Sequence, residues 1–544
     1  MLQADVAGRR RPFTAWMTTS RLLAGLVLAC GLAACGTTVP LAQQGSTALG
    51  DGTSTGGLAP GTPGATVDGA GTTSDSSSPT TGGPNVLAGG PTASAASGTS
   101  VPRIESGSDG GSSPTELLKN GPGVTDSTIS IGVLYSDNAD AQQAALGGGA
   151  NKTGSTKDMV QALVDDVNKT GGVGGRKLVP VYYALDATTS KTDDQVGAEV
   201  CANFTEDHKV FMVLPVAHPS TVTCLAKRGV LTANGTYASK TDAQYRQAPT
   251  FYDVSALSFD ALCRNLVDAL VKAHYFTPWN TVTGKPAATG KVKVGIVVPD
   301  NPASPGWKSA VPNVLVPELA KHGIKVDPGD VQFWAFPQSA TGNAQAVAAI
   351  SATELKLAQD GVTHVLPMEQ NSMAFFSTAA ESQKYRPRYG VSTESDVATY
   401  AGTLTPYQQL NGAVGLSWLP AIDLPPDQSG KPQYAGPGHA ACLSVLRKAG
   451  IQFPTTTSQT TGLLFCDLIN SFRVAAASIP VSTARNHSTF MTSLEQMGAR
   501  FRIAGLPAGS FSVGRHYAAT RAWTMAWDGD CQCLKYTSGP FTMR

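Results

Sequence analysis

The feature that most constrains this chain is an alternation. From Val124 onward, short β-branched runs trade places with segments of helical period. "TISIGVLYS" (128–136) reads as a strand, short, apolar and β-branched. Residues 156–169 then carry Met159, Leu163 and Val167 at helical spacing, with Val160 and Val164 beside them. "GGVGG" (171–175) ends that helix, glycine being the residue that tolerates a left-handed cap. The strand "KLVPVYYALD", a helix near 190–206, the strand "KVFMVLPV", a short helix from about 220 and the strand "GVLTAN" follow. The pattern restarts at "KVKVGIVVPD" (291–300), a near-continuous apolar run of the buried parallel type. A helix near 307–321, "VQFWAF", a helix near 344–359, "THVLP", a helix near 371–384 and "RYGVS" complete the second unit. The expected class is therefore α/β, with two doubly wound parallel-sheet lobes. Past Gly402 helices dominate, "TGLLFCDLINSFRVAAASI" among them, before a hairpin in "RAWTMAWDGDCQCLKY" turning at Asp528-Gly529. Parallel sheets open crevices at the carboxyl ends of their strands, and two facing lobes form a cleft that closes by hinge motion.

The first 123 residues read differently. "LLAGLVLACGLAAC" (22–35) is an apolar run of signal-peptide length, too short to span a bilayer comfortably. It ends in Leu32-Ala33-Ala34-Cys35, which resembles the lipobox of bacterial lipoproteins, where the cysteine is acylated and becomes the mature N-terminus. Cys30 fits less well. The charged cluster Arg9-Arg10-Arg11 lies far ahead of the apolar core and faintly resembles a twin-arginine signal with Pro12-Phe13; a start at Met17 gives a more compact signal. Residues 36–123 are mostly Gly, Ser, Thr, Ala and Pro, too poor in apolar bulk to offset the entropy of ordering. The expectation is a signal peptide over 1–34 and a tether over 35–123, spanning roughly 50 Å root-mean-square as a coil.

Charge excludes one class of partner. A formal net charge of +1 over 544 residues gives no concentrated basic surface for nucleic acid. Catalytic signatures are missing too: the sequence holds no G-x-S-x-G elbow, no H-E-x-x-H and no phosphate-binding loop. "VAHPSTVTC" (216–224) gathers a histidine, hydroxyls and a cysteine, but it falls where a strand passes into a helix N-terminus, so it reads as a loop facing a cleft. No catalytic residue, cofactor or metal site is expected, and no Cys pair has zinc spacing.

"GVTDSTISIGVL" and "ALVDDVNKTGGVGGRKLVPVYYALD" resemble the opening of the type I periplasmic binding proteins, in the leucine/isoleucine/valine-binding group of ABC-transporter receptors. The likeness rests on Asn168, Gly171-Gly172, Gly175-Arg176 and Asp186, and runs in element order over about 124–544. It implies two lobes joined by three crossovers near 252–257, 411–420 and 500–508. Lobe 1 is then 124–253 with 415–500, and lobe 2 is 257–411 with 506–544. In amino-acid-binding members, hydroxyls and backbone N–H groups of two lobe 1 loops hold the ligand carboxylate, and a lobe 2 acid holds the ammonium. By that likeness Ser220 and Thr221 belong to the first loop, Gly235 and Thr236 to the second, and Glu394 is the acid. Tyr135 in the first strand of lobe 1 and Ser304 after the first strand of lobe 2 join the candidate ligand set; "DNPASPGWK" departs from the Tyr-Gly pair common there, Ser304 or Ala303 replacing the aromatic, with Gly306 kept and Trp307 adjacent.

The resemblance implies a monomeric solute-binding lipoprotein, lipid-anchored at Cys35 on the extracytoplasmic face of the cell membrane, taking an amino-acid-like ligand to an ABC permease. A tethered sensor, a wall-associated protein without ligand and an exported hydrolase are the competing classes. Cys201 and Cys224 fall where neighbouring family members form a disulfide, a closure contributing about 3 kcal/mol. Cys442 and Cys466, on consecutive helices, are expected to pair likewise. Cys531 and Cys533 would need a bulge or turn, since alternate strand residues share a face. Cys263, beside Leu262, Leu266 and Leu270, is expected to be a buried thiol.

Overall fold

The computed structural model describes residues 119–544 apart from 139, 142–151, 217, 236–238, 302–303, 337–342 and 426–433. The signal peptide, Cys35 and nearly all of the tether expected from the sequence lie outside the described residues, as does Thr236.

Strands β1 (Thr128–Tyr135), β2 (Lys177–Ala184), β3 (Met212–Leu214), β4 (Leu231–Asn234) and β5 (Phe251–Asp253) form one sheet in the order β2-β1-β3-β4-β5, all parallel. Between them run α1 (Thr156–Lys169), α2 (Asp193–Ala202), α3 (Pro219–Lys227) and α4 (Asp242–Gln247). Ser155 caps α1 by accepting the Asp158 N–H, as short hydroxyl side chains do at helix starts. Past its end, Gly172 has φ +72° and lies against the Arg176 carbonyl, so a side chain there would meet both strain and backbone. Helix α5 (Phe259–Lys272) and the two-stranded β6 (Trp279–Asn280) and β7 (Lys285–Pro286) follow.

The second sheet starts at β8 (Val294–Asp300) and adds β9 (Val331–Ala335), β10 (His364–Pro367), β11 (Arg388–Ser392) and β12 (Val414–Ser417). Its parallel part runs β9-β8-β10-β11-β12, the same winding as the first sheet. The strands β13 (Arg521–Asp528) and β14 (Cys533–Tyr536) extend it antiparallel, and β15 (Phe541–Thr542) pairs with β13. Helix α6 (307–321, with a π turn over Val311–Leu315), α7 (Asn343–Gln359), α8 (Gln370–Ser382), α9 (Val397–Tyr400) and α10 (Pro420–Asp423) belong to this stretch. Then α11 (His439–Lys448), α12 (Thr456–Ala477) and α13 (His487–Met497) return to the first lobe, where α11 and α12 pack on α1. Among the described residues no helix is long and apolar enough to cross a membrane.

One boundary differs from expectation. Residues 414–417 were assigned to lobe 1 from residue 415, but β12 is hydrogen-bonded between β11 and β13 in the second sheet. The return crossover therefore runs beyond Ser417. A four-residue apolar strand carries no mark of which sheet it joins; its pairing with β11 on one side and β13 on the other decides it.

Three crossovers meet in one place. Asp253 N–H donates to the His516 carbonyl, and Ala518 N–H to the Asp253 carbonyl. The Trp418 indole N–H donates to the Ser255 carbonyl at 3.1 Å. Buried Asp467 of α12 accepts the Ala504 and Gly505 N–H groups. The disulfides Cys201–Cys224 and Cys442–Cys466 are present, and Cys263 is a buried free thiol. Cys531 and Cys533 are bridged as well. The pairing is possible because they lie at the hairpin turn, with Gln532 between them at φ +50°, and not within a regular strand.

Candidate functional site

Each parallel sheet reverses its strand order once, between β1 and β3 and between β8 and β10. At such points the loops leave in opposite directions and a crevice opens outside the strand ends. The residues at these ends are Tyr135 and Ser136, then Val216 and His218 to Ser220, in lobe 1; in lobe 2 they are Asn301, Ser304 and Met368 to Gln370.

The lobes meet around Ser239 and the residues that follow it, where the Lys240 carbonyl also accepts the Phe259 N–H and the Asp260 carboxylate accepts the Asp242 N–H. Glu394 lies in the single 3-10 turn Thr393–Ser395 that leaves β11, and its Oε1 accepts the Ser239 N–H of lobe 1 at 2.6 Å. The Ser239 carbonyl accepts the Trp307 indole N–H of lobe 2 at 2.9 Å. Trp307 is held for this by stacking on Phe259, ring centroids 4.4 Å apart. Gly306 completes the contact: a Cβ there would come within 2.6 Å of Thr241 Oγ1 and 2.8 Å of Gln244 Oε1, both across the cleft. Gly306→Leu is therefore expected to wedge the lobes apart, raising the radius of gyration in small-angle scattering. It should weaken any interlobe ligand tenfold or more, ~1.4 kcal/mol. An unchanged radius would contradict the closed contact.

Burial sets the charges here. Glu394 is buried, which pushes its carboxyl up to about 8 against the stabilising Ser239 N–H, with Glu369 and Asp253 adding like charge. Lys240, next to Ser239, is also buried and is pulled down to about 8, opposed by Asp253 and Glu394. Asp253 is pushed up to about 7 by burial, although it accepts N–H groups from Ser255, Ala256 and Asn234. Glu369 caps α8 and Asp423 accepts the Thr393 and Ser417 hydroxyls; burial raises both to about 7. Charged groups this deep are uncommon unless paired.

The expected ligand residues are dispersed. Ser220 is exposed, its Oγ 2.8 Å from His218 Nδ1. The His218 ring nitrogens lie 3.9 Å from carboxylates of Asp193 and Asp194. Thr221 is buried against Gly197 of α2. Gly235 is buried where a Cβ would meet Leu468 of α12 at 2.8 Å. Tyr135 packs edge-on to Tyr182, with Lys157 Nζ 5.6 Å from its ring centroid. Ser304 is buried in the turn preceding α6, its carbonyl accepting the Trp307 N–H. Of the set, Glu394 is the one seated in the interlobe contact described above. The sequence reading missed Ser239, Lys240 and Asp253; nothing in "ASKTD" marks a lysine as buried.

A cavity of about 530 Å³ opens between α12 of lobe 1 and α9 with the β13–β14 hairpin of lobe 2, and Asp396 and Gln370 join its wall. That volume is within the range of small-molecule sites. Among the described residues no cluster of three or more His, Cys, Asp or Glu could hold a metal ion.

No family model and no curated protein matches the chain. Among solved structures it is similar to an extracellular ligand-binding receptor from Verminephrobacter eiseniae ef01-2, at 15% identity, TM-score 0.50, covering 75% of this chain and 100% of that one. A possible leucine/isoleucine/valine-binding protein from Rhodopirellula baltica SH 1 matches at 14% identity, TM-score 0.49, over 76% and 96% of the two chains. A fatty acid ABC transporter substrate-binding protein from Thermomonospora curvata matches at 16% identity, TM-score 0.48, over 78% and 95%. With two identically wound sheets and three crossovers between them, the chain has the type I periplasmic-binding-protein fold.

Proposed function

We propose that this chain is an extracytoplasmic solute-binding lipoprotein. It captures a small polar ligand between its lobes and presents the closed form to an ABC permease. Cys35 is its lipid anchor and residues 35–123 are its tether. The observation that carries this is the interlobe contact: lobe 2 grips the Ser239 peptide from both sides through Glu394 and Trp307. Two lobes that meet along one edge through such polar contacts, beside a cavity, suit hinge closure on a ligand. The role is capture and not turnover: the buried carboxylates of the cleft are engaged by backbone N–H groups and hydroxyls, and among the described residues no nucleophile–base pair is aimed at the cavity.

A thermal-shift screen of amino acids, polyols, amides and aromatic acids tests the reading. A ligand at about a hundred times its Kd stabilises the native state by about 2.7 kcal/mol, a clear rise in Tm. Product formation from a stabilising compound would move the reading to an enzyme, and an absence of shifts across the screen would count against solute binding.

A further inference from the structure

The cavity wall is chemically uneven in a way that selects a ligand. Five threonines, Thr455, Thr456, Thr457, Thr460 and Thr461, come from the first turns of α12 and its cap. Three of their hydroxyls have spent their protons within the protein: Thr455 on the Lys152 carbonyl, Thr460 on Ala421 and Thr461 on Thr457. A hydroxyl whose proton is committed still offers lone pairs, so these three can only accept from a ligand. Across the cavity Asp396 adds a carboxylate, and Trp527 and Tyr400 add aromatic surface beside Leu464. No Lys, Arg or His is among the described lining residues. Among the described residues a carboxylate ligand would thus meet no cationic side chain, the charge-assisted partner that such groups recruit. The amino end of the 22-residue α12 brings partial positive charge to the side opposite Asp396, a polarity a dipolar ligand also meets; what selects the ligand class is the committed threonine hydroxyls and the aromatic surface. Meanwhile Glu394, which the family likeness assigns to a ligand ammonium, is already engaged by Ser239.

Resting on the solute-binding reading, we infer that this threonine- and aromatic-lined cavity is the ligand site, and that it takes a neutral polyhydroxylated molecule, a sugar or cyclitol, in place of an amino acid. Ring hydroxyls donate to the threonine oxygens and Asp396, while C–H faces pack on Trp527, Tyr400 and the threonine methyls.

The test is isothermal calorimetry on the full chain with glucose, trehalose and myo-inositol as probes, and leucine beside them. Two variants accompany it: Leu464→Trp, which fills the cavity, and the isosteric pair Thr456→Val with Thr457→Val, which keeps its shape; circular dichroism checks that each folds. The expected result is binding of at least one polyol, lost in Leu464→Trp and weakened tenfold or more in the valine pair. Polyol binding that neither variant disturbs would overturn the site. Leucine binding without any polyol binding would overturn the ligand class and keep the solute-binding reading. Binding of none of the four probes would overturn the inference, and the wider screen then decides separately whether solute binding stands.

Discussion

Asp253→Ala is expected to destabilise the protein by about 3–5 kcal/mol, the scale seen when one partner of a buried charged network is removed. Asp253 is fully buried at the first crossover. Its Oδ1 accepts the Ser255 and Ala256 N–H groups at 3.0 and 2.8 Å, and its Oδ2 accepts the Asn234 amide at 2.8 Å. Alanine leaves those donors buried without an acceptor, each a desolvation cost, and takes away a negative neighbour of buried Lys240. Asp253→Asn keeps one oxygen for the two backbone donors and should cost far less. Urea unfolding of both variants checks this; equal losses would show that the hydrogen bonds are not what the carboxylate supplies. Since the first crossover is also tied to Tyr517 and Trp418, Asp253→Ala should loosen the hinge as well as the fold.

Stability is expected to fall as pH rises from 6.5 to 8. Burial raises Asp253, Glu354, Glu369, Asp423 and Asp467 to about 7 and Glu394 to about 8. In the unfolded chain carboxyls titrate near 4. Across this window the native state therefore holds protons that the unfolded state has already lost. Raising pH strips them from the native state alone, which lowers stability. The loss is on the order of 1 kcal/mol per group, each pKa unit being ~1.4 kcal/mol. Histidine works the other way at lower pH. Burial depresses His364 to about 4 and lowers His218 and His439, so their share of stability grows up to about pH 6.5 and then is complete. Lys240, depressed to about 8, binds fewer protons folded than unfolded above that pH, so the decline should slow or reverse there. Urea midpoints at pH 6.5, 7.2 and 8.0 measure the profile, and a flat or rising series would sink it. Asp253→Asn and Glu394→Gln should each flatten it, by shares that do not add, because these two carboxyls and Lys240 titrate together.

The alternation of elements was legible because its signals are local. The α1 stripe of Met159, Leu163 and Val167 is buried as its spacing implies, and "VGIVVPD" is buried along all but its last residue. Cys201–Cys224 was implied by the family likeness and Cys442–Cys466 by consecutive helices, and both are bridged. The failures share one physical cause, which is contact between segments distant in the chain. β12 joins the second sheet because β13 arrives from residue 521 to pair with it. Lys240 sits in a polar run that reads as solvent-exposed, and only the approach of Glu394 and Trp307 encloses that loop. Ser220 and Thr221 begin a helix as expected, but Thr221 faces α2 and Ser220 faces His218.

What the sequence determined by itself was the architecture: strand and helix period, glycine stops and cap residues act within a few neighbours, and those neighbours are written side by side. What only the tertiary structure decided was the cavity proposed as the site. It draws on Thr153, Gln370 and residues within 396–401, 421–425, 455–464 and 527–534, stretches with no pattern in common. Their hydroxyls, carboxylate and rings acquire a shared chemistry only once two lobes have folded and met.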